Sequence, residues 1–197
     1  MDDFDAITLD LASNHPLGFT IPFTSFKIKE PIFTKNLPES AAIFLCSAPH
    51  QDKAVKIIPN TRDWATIENE VSLQRSSAML GLSPNIYVVS YGIKYTYIIM
   101  DHIVGGNIYD QFGEDVLDNA WFVSNLKKVH SQVTNILIRL ADSGIAYPDR
   151  SAYQFMTEAD SGRLLILDFE HARRTSSKEA HTEIHNIENE PWNPDFV

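Results

Sequence analysis

The stretch KAVKIIPNTRDWATIENEVSLQRSSAMLG, residues 53–81, changes its period halfway. Lys53 to Ile58 is a short apolar run of strand type, closed by Pro59. From Thr61 to Leu80 the residues Trp64, Ile67, Val71 and Leu80 suit one face of an amphipathic helix, and Gly81 is placed to stop it. The strand carries one anomaly. Lys56 lies between Val55 and Ile57, and a lysine inside a buried strand is rare unless it is paired. Glu70, on the following helix, is the candidate partner; the simpler reading is a strand-edge lysine snorkelling to solvent.

Outward from this stretch the pattern stays strand-rich to about residue 100. Phe23 to Phe33 alternates polar and apolar residues beside Pro22 and Pro31, as an edge strand does. Thr34 to Ser40 reads as a short turn, and Ala41 to Cys46 as a second apolar strand joined to the third by a turn-prone loop. Ile86 to Ser90 and Lys94 to Met100 read as a hairpin turning at Tyr91-Gly92-Ile93. Asp101 to Gly106 is a connector ending in a Gly-Gly break, and Asn107 to Phe112 has the makings of a short helix. A longer helix is predicted from an Asp118 N-cap to about Ser143. Its wide apolar face runs through Trp121, Phe122, Val123, Leu126, Val129, Val133, Ile136, Leu137 and Leu140, and Gly144 ends it. A compact loop leads into an apolar strand, Arg163 to Leu167, and the residues beyond about 175 read as a polar tail.

Composition excludes some partners. The chain has 197 residues with 26 Asp and Glu against 16 Lys and Arg, a net charge of −10. Nucleic acids and anionic membranes are bound by clustered cations that release counterions, so neither is expected as a main partner. A single cysteine, Cys46, forbids an intrachain disulfide and fits a reducing, intracellular and cytoplasmic setting. The acidic N-terminus lacks the charge of a secretory signal, and the most apolar stretch, Tyr87 to Met100, is too short and polar to span a bilayer.

Two further carboxylates stand out. Asp149 sits in the loop after the long helix, and Asp168 follows the run LLIL, where a strand-end carboxylate is well placed to hold a metal ion. Their plain alternatives are a turn aspartate after Pro148 and a strand-end cap. His181-Thr-Glu-Ile-His185 has two histidines at zinc-like spacing but lacks the HExxH order and an evident third ligand.

Taken together, these fragments resemble the protein-kinase-like superfamily through most of residues 25–175. KAVK (53–56) resembles the strand of the nucleotide-anchoring lysine, and IENEVSLQ (67–74) with GLSPNIY (81–87) the mobile helix and the strand after it. YIIMDHIVGGN (97–107) is similar to the gatekeeper and hinge, YPDRSAYQFM (147–156) to the catalytic loop, and LLILDFEHA (164–172) to the DFG region. The resemblance implies an α+β, two-lobe kinase-like fold. It has an N-terminal arm (1–22), an N-lobe of five antiparallel strands and one helix (23–100), and a hinge (101–106). A reduced helical C-lobe (107–175) and a tail (176–197) follow. It implies ATP and Mg²⁺ as cofactors. Lys56 would anchor the phosphates, held by its paired Glu70, with Met100 as gatekeeper and the backbone of Asp101, His102 and Ile103 binding adenine. Asp149 would be the base, and Asp168 with Gln154 the metal ligands. Tyr147 and Phe169 would fall on an apolar spine, with Val89 on the strand side.

Departures from the pattern are equally specific. No glycine occurs between Gly18 and Gly81, so no glycine-rich phosphate cover is expected between the first two strands. Gln154 stands where the family has Asn, Glu170 where it has the DFG glycine, and Pro148 where many members have Arg. The sequence ends 29 residues after Asp168, shorter than the family's substrate-docking helices require, as in a trimmed RIO-like kinase. Two functions follow. One is Mg²⁺-dependent transfer of the ATP γ-phosphate to a Ser/Thr hydroxyl of a protein substrate. The other is a pseudokinase that acts as scaffold, regulator or decoy for a protein partner. In either case a homodimer is one way to cover the shortened second lobe.

Overall fold

A computed structural model describes residues 26–33, 41–47, 52–92, 94–108 and 120–185, with the side chains of 120–127 and 185 left aside. The chain divides into two compact units, one of residues 1–67 and 85–102, the other of 68–84 and 103–197.

The first unit is built on a five-stranded antiparallel sheet: β1 (Lys27–Phe33), β2 (Ala42–Ser47), β3 (Lys53–Pro59), β4 (Ile86–Tyr91) and β5 (Tyr95–Asp101). The strand order is β1-β2-β3-β5-β4, so the most apolar strands, β3 and β5, are interior. Alternation sets the faces. Phe44, Cys46, Val55, Ile57, Tyr97 and Ile99 pack with Ile28 and Ala42 on one side. Burial pushes the Cys46 thiol up to about 11, so it stays a protonated apolar filler. Lys56 points to the opposite face, in register with Ile43 on β2 and Ile98 on β5. The outer strand β1 slips register twice against β2, at Lys29 and, just after Pro31, at Ile32. Proline and bulges belong on such an edge because it needs no ladder donors there.

Helix α1 (Trp64–Met79) starts in the first unit and clusters with the second from Glu68 onward. Its expected apolar face is only half realised. Ile67 and Val71 are buried, but Trp64 is 45% exposed and packs tilted, at 52°, against Tyr91 of β4, ring centroids 4.2 Å apart. Polar Glu70, Gln74 and Ser77 are buried in its place. The helix stops at Gly81, which adopts φ 70°. The Leu82 amide reaches back to the Ser77 carbonyl at 3.0 Å and the Gly81 amide to Ala78 at 2.8 Å, a Schellman ending.

The second unit is less purely helical than expected. It contains β6 (Gly105–Asn107), α2 (Ala120–Asp142), β7 (Ile145–Ala146), a 3-10 turn (Ala152–Gln154), β8 (Phe155–Glu158), β9 (Leu164–Ile166), β10 (Arg173–Arg174) and α3 (Ser177–His185). Strands β6-β8-β9 form one small sheet, and β10 pairs with β7. The expected Gly-Gly break is thus strand β6. A Cβ on Gly105 would lie 1.8 Å from the Thr157 carbonyl oxygen, so only glycine lets the strands meet there. Within α2, Val129, Val133, Ile136, Leu137 and Leu140 are buried as the 3.6-residue period requires. They pack with Tyr147, Phe155, Ile166 and Phe169 in the core of this unit.

Part of the expected polar tail is also a helix. Ser176 and Glu179 close a capping box at its start: the Glu179 amide donates to Ser176 Oγ, and the Ser176 amide to Glu179 Oε2, each at 3.2 Å. Ala180 then packs on Ala141 and Ala146. The expected N-terminal arm, the turn 34–40, Ile93, residues 109–112 of the short helix, the Asp118 cap, the side chains of Trp121, Phe122, Val123 and Leu126, and the end of the tail from 186 lie outside the described residues.

Candidate functional site

In the second unit, the loop of Asp149 and the segment leading to Asp168 are hydrogen-bonded to each other. Strand β7 delivers Tyr147 into the core, and Pro148 turns the chain so that Asp149 leads the next loop. Asp149 is held at both oxygens: Oδ1 accepts the Ser151 amide at 3.3 Å and Oδ2 the Gln154 side-chain Nε2 at 2.8 Å. The short 3-10 turn makes this reach possible. Its first bond runs from the Gln154 amide to the Ser151 carbonyl at 3.0 Å, and the Gln154 carbonyl accepts the Leu167 amide at 2.8 Å. The loop of Asp149 is therefore bonded to the residue just before Asp168.

Strand β9 ends at Ile166, and Asp168 follows with φ 52°. It is the only non-glycine residue with positive φ among the described residues. A left-handed aspartate is tolerated because its short side chain bonds locally, here from the Glu170 amide to Oδ1 at 3.3 Å. Phe169 is completely buried, its ring edge-on to Tyr147 with centroids 5.4 Å apart.

Tyr147 does more than fill the core. Its hydroxyl donates to the carbonyl of Leu167 and, at 3.0 Å, to that of Asp168. Burial, then the charges of Asp168, Asp149 and Glu70, push the phenol well above its ordinary value, so it remains a donor at any working pH. Expected only as an apolar residue, Tyr147 buries its ring against Phe169, and its hydroxyl adds a polar role that the expectation lacked. A buried tyrosine almost always finds a polar partner, and that general rule was the available signal.

Glu70 is buried on α1, which from Glu68 onward is fastened to this unit at several points. The Asn69 side chain donates to the Ala172 carbonyl at 3.0 Å, and Gln74 to Pro84 at 3.3 Å. Arg174 bonds the Ser76 hydroxyl. At the C-terminal end of α1, Arg139 donates to the Leu80 carbonyl at 2.6 Å and Arg163 to Gly81 at 3.4 Å. Helix-end carbonyls have no partner within the helix and carry partial negative charge, so guanidinium groups suit them.

The remaining expected residues, apart from Ile103, lie in the first unit. Lys56 is buried, 5% exposed, in β3. Met100 is buried near the end of β5, paired with Ala54 and Ile86. Asp101 is tightly engaged: its Oδ1 accepts Lys53 Nζ at 2.9 Å and the Tyr87 hydroxyl at 2.6 Å, and its Oδ2 the Asn85 side chain at 2.8 Å. The Lys53 ammonium also sits 4.1 Å from the centroid of the Tyr87 ring. Burial raises the Asp101 carboxyl, but the bonds from Tyr87, Lys53 and Asn85 outweigh it and leave the value lowered. His102 is half-buried at the end of the first unit, and Ile103 is buried in the second.

No group of three or more His, Cys, Asp or Glu able to hold a metal is found among the described residues. His181 of the zinc-like motif is hydrogen-bonded to Asp142 at 2.8 Å. Asp149 and Asp168 are hard oxygen donors, the type Mg²⁺ takes when one or two carboxylates are joined in its shell by phosphate and water oxygens. Among the described residues no helix is long and apolar enough to cross a membrane. Comparison with protein-family models and with curated proteins finds no match.

Proposed function

We propose that the chain is a kinase-like, ATP-binding phosphotransferase that moves the γ-phosphate to a Ser/Thr hydroxyl of a protein. One observation carries the reading: the loop that holds Asp149 is hydrogen-bonded to the segment of Asp168 through Gln154 and Leu167, and Tyr147 bonds the backbone of a left-handed Asp168. Strained backbone of this kind persists where the surroundings over-determine it, and such positions cluster at functional sites. On this reading Asp149 orients the acceptor hydroxyl and takes its proton, Asp168 holds Mg²⁺, and Lys56 serves the phosphates. Bound Mg²⁺ would neutralise charge on the phosphate oxygens. The contribution of the chain is to restrain Asp149 at both oxygens, through Ser151 and Gln154, and Asp168 at Oδ1, through the Glu170 amide.

Glu170 favours a second reading, a nucleotide-binding pseudokinase that regulates a protein partner. It places a further carboxylate two residues from Asp168, with its amide already bonded to Asp168 Oδ1. The test begins with melting of the full chain in millimolar Mg·ATP. Stabilisation is expected, and an unchanged melting temperature removes both readings' nucleotide. Phosphate transfer abolished in Asp149→Asn and in Asp168→Asn supports the enzyme. Binding without transfer in the wild-type protein leaves the pseudokinase, and transfer retained in both variants rejects the residue roles.

A further inference from the structure

We propose that Gln154 is a positioning residue for Asp149 rather than a metal ligand; the kinetic part of this proposal rests on the function proposed above. A glutamine amide has one acceptor oxygen and two N–H donors. At 2.8 Å from Asp149 Oδ2 only the nitrogen can face the carboxylate, since the flipped amide would set oxygen against oxygen. The planar group then turns its own oxygen away from that contact.

The main chain leaves the side chain little choice. Gln154 is fixed through its amide to Ser151 and through its carbonyl to Leu167. From that anchor the glutamine side chain reaches back to Asp149 Oδ2 at 2.8 Å. The Ser151 amide holds the other carboxylate oxygen. Asp149 is thereby restrained at both oxygens, and one of the restraints belongs to a residue whose carbonyl is bonded to the strand end leading to Asp168. Gln154 thus sets the orientation of one carboxylate and ties its loop to the segment of the other.

The test uses the full chain, ¹⁵N-labelled, as wild type, Gln154→Ala and Asp149→Ala. The Gln154 side-chain amide signal, identified by its loss in Gln154→Ala, is expected to move in Asp149→Ala; an unmoved signal overturns the proposal. In Gln154→Ala, the Mg²⁺ concentration giving half-maximal ATP-dependent stabilisation is expected to stay within about twofold, while kcat falls on the order of 10²-fold from lost orientation. A Mg²⁺ midpoint raised tenfold or more with kcat retained at saturation is the signature of a ligand and overturns it. If the wild-type chain does not bind Mg·ATP, the proposed function falls, and the amide signal alone decides the role of Gln154.

Discussion

Tyr147 donates its phenolic proton to the main-chain carbonyl of Asp168, the residue whose own backbone is left-handed. The same hydroxyl reaches the Leu167 carbonyl. Tyr147→Phe keeps the ring against Phe169 and strands both carbonyls. A loss of about 1–3 kcal/mol is expected, the usual cost of an unsatisfied buried polar group. Urea unfolding of the variant checks this, and an unchanged midpoint would show that the carbonyls find other donors.

The left-handed conformation of Asp168 can be probed by pairing two substitutions. Asp168→Ala and Asp168→Gly both remove the carboxylate and its bond to the Glu170 amide, but only alanine must carry a Cβ at φ 52°. The glycine variant is expected to be the more stable by about 1–2 kcal/mol, with Mg·ATP stabilisation lost in both. Equal unfolding midpoints would mean the loop relaxes out of the left-handed region.

Lys53 and Asp101 give the first unit a pH signature with two limbs. For Asp101, burial acts upward but is outweighed by its hydrogen bonds, leaving the value below the ordinary 3.8. Its stabilisation is therefore present above 3.8 and lost as pH falls through the lower folded value. For Lys53, burial acts downward but is outweighed by Asp101 and Tyr87, leaving the value above the ordinary 10.5. That contribution is present below 10.5 and lost as pH rises through the higher folded value. Both groups are partly exposed, so each effect is small. Melting temperatures of wild type and Asp101→Asn should differ most near neutral pH and converge towards both extremes; parallel curves would reject the pairing.

Gly144 ends α2 at φ 72°, and a Cβ there would lie 2.7 Å from the Thr175 carbonyl oxygen. The Gly144 carbonyl accepts the Thr175 amide at 3.0 Å, joining α2 to the start of α3. Gly144→Ala is expected to lose at least about 1–2 kcal/mol from the backbone alone, with faster amide exchange in 173–180. Wild-type stability in the variant would mean that the junction shifts freely.

The large elements were readable because they repeat. KAVKII and YTYIIM announce interior strands, and Val129 to Leu140 announce one face of a helix. What escaped notice is short or mixed. Strands β6 to β8 have two to four residues each, too few to show a period. Helix α3 buries little beyond Ala180, so it reads as polar, although Ser176 and Glu179 marked its start. Trp64 looked like core because spacing alone cannot say that Tyr91 waits outside. At the site, Asp149 and Asp168 are conspicuous as charges at element ends. The partners that hold Asp101 are not, since Lys53, Asn85 and Tyr87 meet only when three strands align.

One border of the first unit's sheet bears on how the molecule behaves in a crowded solution. Strand β1 carries Lys27, Lys29 and Glu30 on exposed positions, places Pro31 without an amide proton, and breaks its ladder twice. A second polypeptide laid along that border would meet charge, a missing donor and a shifting repeat within seven residues. The strand therefore closes the sheet as a terminus rather than offering a template, and self-association by strand addition is discouraged on that side.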